Sequence, residues 1–276
     1  MEILSPSNPR IRGAARLRDR GARDATATSL VDGGRELLRA IRAGVTVETL
    51  FVCPPLVRSA DARAAIDALT AQQGADILEC SEAAFAKVAF GDRAEGVVAV
   101  IRPPIRTLDD LLLPAEPLIV VTEDVEKPGN LGAILRSGDG AGADAVIAAA
   151  GGTDLYNPNV IRASLGTVFA LPVVAAPAEE VRAWLAGRRI RAVAAVVDAG
   201  RAYTDADLRG GLALVLGSET DGLSDTWRGA GVEAVRLPML GVADSLNVSA
   251  AAAVLLYEAR RQRSLPARAA GSPPAG

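Results

Sequence analysis

The chain has 276 residues, half of them apolar, a formal net charge of −3 and no histidine. That length allows one large or two ordinary domains with a sizeable core, and no apolar run reaches the ~20 residues of a membrane span. The N-terminus MEILSPSNPRIRGAARLRDR has no secretion-signal core, and two cysteines, Cys53 and Cys80, without histidine argue against a disulfide framework, a zinc site and histidine acid/base chemistry. The expected location is the cytoplasm, with neither metal nor membrane as a partner.

In chain order, residues 1–23 come first, with six arginines (Arg10, Arg12, Arg16, Arg18, Arg20, Arg23) against Glu2 and Asp19, so 6 − 2 = +4. Such a run reads as a solvated basic helix or as an RNA-facing patch. Lysine is confined to Lys87 and Lys127, so arginine richness by itself reflects coding bias. Residues 30–52 read as strand, helix, strand, with Leu37, Leu38 and Ile41 on one helical face. A helix over 60–73, a strand and helix in ADILECSEAAFAKVA, and the strand GVVAVIR (96–102) complete a small α/β unit over 1–102. Four prolines in RPPIRTLDDLLLPAEP mark a linker over 103–116. From 117 to 264, apolar strands at 118–122, 144–150, 167–174, 190–198, 212–217 and 234–239 alternate with helices, which implies a parallel sheet covered on both faces. The Pro/Gly/Ala-rich tail, 265–276, reads as disordered.

Three polar motifs interrupt this pattern. In VTEDVEKPGNLGAILRSGDGAGAD (121–144) a strand ends at Thr122 and a helix begins near Asn130. Asn130 reads as a helix cap or a ligand-facing group, Gly132 as a point of close backbone approach, and Arg136 as a surface arginine or a functional one. LALVLGSETDGLS (212–224) runs a strand into a glycine-bounded loop that Glu219 can tie by accepting backbone N–H bonds. It matches neither a P-loop nor a dinucleotide fingerprint. LPMLGVADSLNVSAAAAVLLYEARRQR (237–263) reads as a short strand, a polar loop with Asp244, Ser245, Asn247 and Ser249, and a long helix. One cap residue would satisfy that helix, so the others are left for another task.

Together the three motifs resemble those of the SpoU (TrmH-like) family of SPOUT RNA 2′-O-methyltransferases. The matching residues are Asn130, Gly132 and Arg136; Gly217, Glu219 and Gly222; and Pro238, Met239, Gly241, Ser245, Leu246, Asn247 and Ser249. NPNVIRASLGTVFALPV (157–173), with Ser164 and Gly166, resembles the family's middle stretch. The N-terminal unit resembles, more loosely, an L30e-like substrate-binding domain. Lys127 and the Gly138-Asp139 pair depart from the commonest motif residues.

The resemblance implies an α/β fold: a parallel-sheet SPOUT domain over 117–264 with a C-terminal trefoil knot, plus the smaller L30e-like domain. It implies S-adenosylmethionine as cofactor, bound through Leu216, Gly217, Leu237, Met239 and Leu246. It implies a ribose 2′-hydroxyl as acceptor, with Arg136 gathering the hydroxyl and a phosphate, Asn130, Ser245 and Asn247 orienting, and Glu219 bracing the cofactor loop. It implies a homodimer through the knot region and RNA as substrate, large-subunit rRNA ahead of tRNA. A binding-only SPOUT protein, a base methyltransferase and a generic nucleotide-binding α/β enzyme stand as alternatives.

Overall fold

The computed structural model describes residues 4–72, 74–90, 95–149 and 153–264. The tail expected to be disordered lies outside them. Two short helices lead in, α1 (Pro9–Arg16) and α2 (Arg20–Thr26), capped by the side chains of Asn8 and Asp19. The basic run is largely engaged with its own chain. Arg10 pairs with Asp76, Arg18 bonds the carbonyls of Lys87 and Ala89, and buried Arg23 pairs with Asp154. Arg12 and Arg16 remain exposed.

The first sheet comprises β1 (Ser29–Asp32), β2 (Thr46–Val52), β3 (Asp76–Glu79) and β4 (Val97–Arg102), in the spatial order β1-β4-β2-β3. Strand β4 runs antiparallel to both neighbours, while β2 and β3 are parallel. Period-two alternation sends Val31, Val97 and Ala99 towards α3 (Gly34–Arg42) and α4 (Ala60–Gln72). Leu30, Phe51 and Val98 face α1 and α5 (Glu82–Val88) instead, in a cluster that also holds Cys53 and Cys80, both buried and unbridged.

The second sheet is parallel throughout. Its strands are β5 (Leu118–Thr122), β6 (Ala145–Ala148), β7 (Val173–Ala175), β8 (Arg191–Ala195), β9 (Leu212–Leu216) and β10 (Val232–Val235), in the order β10-β8-β9-β5-β6-β7. Every residue of central β5 and β9 is buried, as their unbroken apolar sequences require of strands covered on both faces. Helices α6 (Pro128–Ala141) and α10 (Val248–Ser264) pack together on one face, and α9 (Ala178–Gly187) covers the other.

Two expected strands are shorter than their apolar runs. Residues 167–170 form a helical turn, α8, after α7 (Pro158–Ala163). Gly166 turns left-handed at φ 79°, and the buried hydroxyls of Ser164 and Thr167 bond backbone carbonyls at 2.9 Å, which holds the turn against the β preference of Thr-Val-Phe. Strand β10 stops at Val235, so Leu237–Asn247 is loop from its first residue. Pro238 lacks the N–H a ladder needs, and the Arg236 N–H bonds the Arg201 carbonyl at 2.8 Å.

The two sheets share one apolar core, which runs from Val31 and Leu37 to Leu118 and Leu135. Polar ties reinforce it: Ser29 Oγ donates to the Tyr156 carbonyl at 2.6 Å and Arg39 Nη1 to that of Leu165 at 2.7 Å. The proline-rich linker is itself docked, with Leu108 and Leu111 buried under the second sheet.

Candidate active site

Parallel strands place the loops that follow them along one edge of the sheet, the edge where open α/β folds bind ligands. Here the loops after β5, β8 and β9 meet the Leu237–Asn247 loop and the start of α10. Between them lies a cavity of about 300 Å³, lined by Leu216, Gly217, Leu237, Met239, Ser245 and Leu246 among others. That volume is at the small end for a small-molecule site. All five positions expected to bind the cofactor are on its wall.

The loop after β9 is a tight turn. Ser218 and Gly222 exchange backbone hydrogen bonds at 3.1 and 3.2 Å, and the Asp221 N–H bonds Ser218 Oγ at 3.0 Å. A Cβ on Gly217 would sit 2.2 Å from the Gly222 carbonyl carbon and oxygen, so only glycine fits. Gly222 supplies the positive φ, 69°. The turn is anchored from below by Glu123, a residue the motif reading passed over. Its buried carboxylate accepts from Ser224 N and Ser224 Oγ, each at 2.7 Å, and from Trp227 Nε1 at 3.1 Å. The signal available was an acidic residue one position past an apolar strand.

Asn130 is not the helix cap. Helix α6 starts two residues earlier at Pro128, whose missing N–H costs nothing in the first turn, and this frees the Asn130 side chain. Asn130 Nδ2 donates to Glu219 Oε1 at 3.0 Å, Asn247 Nδ2 to the same oxygen at 2.6 Å and to Asn130 Oδ1 at 3.1 Å, and Lys127 Nζ to Glu219 Oε2 at 2.6 Å. Glu219 therefore gathers side chains from the other two motifs rather than tying its own loop. The Lys127 ammonium, then Asn130 and the Val248 N–H, hold its carboxyl below the usual range, so it is anionic at neutral pH. Asn247 does double duty: its Oδ1 caps α10 by accepting from Ser249 N at 2.9 Å and Ser249 Oγ at 2.6 Å. Asn247 thus caps α10 and at the same time reaches a residue of each of the other two motifs.

This knot of side chains forms a partition. A second hollow of about 330 Å³, lined by Lys127 and Asn130, shares Ser218, Glu219, Thr220, Asp221 and Val248 with the first. The first cavity is acidic: Asp198, Asp221 and Asp244 line it with Glu219, against Arg228 alone. That suits a cationic sulfonium with an α-amino group; the second hollow, with Asp124, Glu126, Glu219 and Asp221 against Lys127, is no less acidic. Arg136 stands apart. It is exposed in the third turn of α6, lines neither hollow, and has no hydrogen-bond or ion-pair partner among the described residues. Gly132 provides close approach between helices rather than to a ligand, since a Cβ there would lie 2.4 Å from Ala163 Cβ.

Comparison with known proteins gives this geometry a lineage. Residues 117–257 match the model of the SpoU rRNA Methylase family, and residues 8–99 match an MRM3-like substrate binding domain. A 23S rRNA (uridine(2479)-2′-O)-methyltransferase of Streptomyces viridochromogenes is 34% identical over 90% of this chain and 88% of its own. A crystal structure of an RNA 2′-O ribose methyltransferase superposes with a TM-score of 0.84 at 44% identity, covering 96% of this chain and all of the other. The SpoU methyltransferase AviRb of S. viridochromogenes, in complex with the cofactor AdoMet, gives 0.82 at 32% identity, over 92% and 98% of the two chains. The order of the three motifs, the parallel sheet they interrupt and these likenesses agree: the chain belongs to the SpoU rRNA Methylase family.

Proposed function

We propose that the chain transfers a methyl group from S-adenosylmethionine to a ribose 2′-hydroxyl of 23S rRNA. The observation that carries this reading is the Asn130–Glu219–Asn247 partition between an acidic cavity and a second hollow. Bound in the first cavity, S-adenosylmethionine supplies an electrophilic methyl group on a cationic sulfonium. Leu216, Gly217, Leu237, Met239 and Leu246 enclose it and exclude water, and Ser245 stands on the same wall. The acceptor ribose enters from the Asn130 side. Glu219 keeps the two asparagines oriented, and transfer is promoted mainly by in-line positioning. An arginine is too weak an acid to serve as base, so Arg136 binds the hydroxyl and a neighbouring phosphate and stabilises developing alkoxide charge. No step needs a metal.

That Arg136 lines neither hollow of its own chain supports a role for it in the site of a second copy. Support for a homodimer through the Leu237–Asn247 region comes from Leu240 and Val242, fully exposed beside the cavity, and from half-exposed Tyr257 on α10. The opposite face of α10, Val248, Ala252, Leu255 and Ala259, belongs to the chain's own core and is unavailable for that contact. The same segment is the one we read as threaded in a trefoil knot. The 23S rRNA named for the relatives, with the substrate-binding match at residues 8–99, favours rRNA over tRNA and catalysis over binding alone. No described helix is long and apolar enough to cross a membrane, and a cytoplasmic place beside nascent ribosomes fits the substrate.

The test is mapping of 2′-O-methylated nucleotides in total RNA from cells with and without the gene. One ribose in 23S rRNA should gain a methyl group only when the gene is present. A new mark confined to tRNA, or none, overturns the assignment. Transfer should persist in EDTA once the RNA has been refolded.

A further inference from the structure

Away from the cofactor cavity, a cleft of about 680 Å³ separates the two sheets, lined by α2, the linker, residues 153–156 and edge strand β7. Its charges are nearly matched. Arg23 pairs with Asp154, Arg102 with Glu48, and Arg20 with Asp24 at 3.5 Å. Arg106 is the surplus. Its Nη1 is cut off from solvent without a hydrogen-bond partner among the described residues, and so is the Tyr156 hydroxyl. Asp110, which feels the charge of Arg106, is already taken by the Thr107 N–H and hydroxyl at 2.7 and 2.8 Å. Burial pushes the Tyr156 phenol up to about 12, so it stays a neutral donor.

Arg106 and Tyr156 lie against each other, the guanidinium opposing the rise of the phenol, so the pair presents N–H and O–H donors with no acceptor among the described residues, which is costly in a folded chain unless something else satisfies them. A guanidinium N–H beside a phenol O–H is a matched pair for two oxygens of one phosphate. Pro103 and Pro104 stiffen the wall that carries Arg106. Ile105, 90% exposed at the same cleft, offers apolar contact to a base. Residues 153–156 follow the C-terminal end of β6, as the cofactor loop follows that of β9. The order β9-β5-β6 places those ends two strand spacings apart, about 10 Å, along one edge. The loops on both therefore stand on the edge of the sheet that an RNA strand would approach.

We propose that this cleft is a second RNA subsite, in which Arg106 and Tyr156 clasp a phosphate of the strand that carries the target ribose. The proposal rests on the RNA methyltransferase reading and adds to it a place that sets which neighbouring nucleotides are tolerated.

The test uses the full chain, deproteinised 23S rRNA and S-adenosylmethionine. Arg106→Gln and Tyr156→Phe should each raise KM for RNA, Arg106→Gln by about tenfold, the worth of one charge-assisted hydrogen bond. kcat and the affinity for S-adenosylhomocysteine should stay within about twofold. Arg106→Gln should also lower the slope of log affinity against log salt by about 1. Arg20→Glu, at the exposed rim, gives the same KM effect without touching a buried group. Unchanged KM and salt slope in both Arg106→Gln and Arg20→Glu overturn the proposal. Inorganic phosphate should displace RNA from the wild type beyond what chloride of equal ionic strength achieves, and that excess should vanish in Arg106→Gln. A wild-type chain that neither binds nor methylates the RNA overturns the methyltransferase reading itself, a result distinct from these.

Discussion

Replacing Gly217 by alanine should weaken cofactor binding while leaving the fold standing. The added Cβ would lie 2.2 Å from the Gly222 carbonyl carbon and oxygen and 2.6 Å from Leu223 N, where ordinary contact begins at 3.4 Å. The turn must therefore open by about 3.4 − 2.2 = 1.2 Å, and both sides of the clash are backbone, so no rotamer relieves it. Displacement of about 1 Å in a positioning element costs on the order of 100-fold. Methyl transfer should fall by at least that factor, and calorimetry with S-adenosylhomocysteine should record weaker binding. Thermal stability should fall little, because the turn's tip at Glu219–Gly222 is exposed while Glu123 holds its base. Gly222→Ala is the control. Its Cβ would meet nothing within 4 Å, so only the positive φ is penalised, by roughly 1 kcal/mol. Equal affinities for Gly217→Ala and wild type would refute the claim that this turn shapes the cofactor site.

Three further outcomes are expected. Asp32, 6% exposed, has its carboxyl raised from 3.8 to about 6, chiefly by burial. The folded chain thus holds that proton more tightly than the unfolded one, and stability declines as pH rises from about 4 to 6. Asp32→Asn should therefore stabilise by ~3 kcal/mol in denaturant melts at pH 8 and by little near pH 3.5, and equal gains at both would refute this. Glu123→Gln should cost ~3 kcal/mol and weaken cofactor binding, because an amide presents a donor where three donors converge; unchanged melting and affinity would count against the anchor role. Arg136→Ala should lose transfer but keep S-adenosylhomocysteine affinity, and mixing it with Gly217→Trp under verified subunit exchange should restore activity. No recovery would mean that each arginine serves its own chain.

The strand–helix alternation was legible because buried parallel strands are continuous apolar runs, as β5 and β9 are. Thr167–Ala170 was misread because its β-branched and aromatic residues look like a strand. The deciding features, a left-handed Gly166 and two hydroxyl–carbonyl bonds, are tertiary choices invisible to periodicity. Asn130, Glu219 and Asn247 were each visible as polar residues at element ends, but not as one hydrogen-bonded group, since their spacing along the chain carries no record of the contact. The Glu123 anchor was hidden for a similar reason: its partners lie 101 and 104 residues away. The arginines of residues 1–23 read as a solvated helix or an RNA patch, whereas Arg10, Arg18 and Arg23 hold the chain to itself.

Arg263, near the end of α10, bonds the carbonyls of Glu116 and Pro117 at the entrance to β5, at 3.0 and 2.9 Å, and that of Gly210 before β9. Helix α10 thus fastens the two central strands at the edge opposite the site. During synthesis this imposes an order of events. Asn130 and Asn247 are 117 residues apart, a gap that translation crosses in about 6–23 s, and the clasp at Arg263 follows later still. Until then β5 has its strand neighbours but no lock, and the partition between the two hollows lacks one of its three members. The knot of motif side chains is therefore complete only once α10 has been made, after the N-terminal unit has had time to fold.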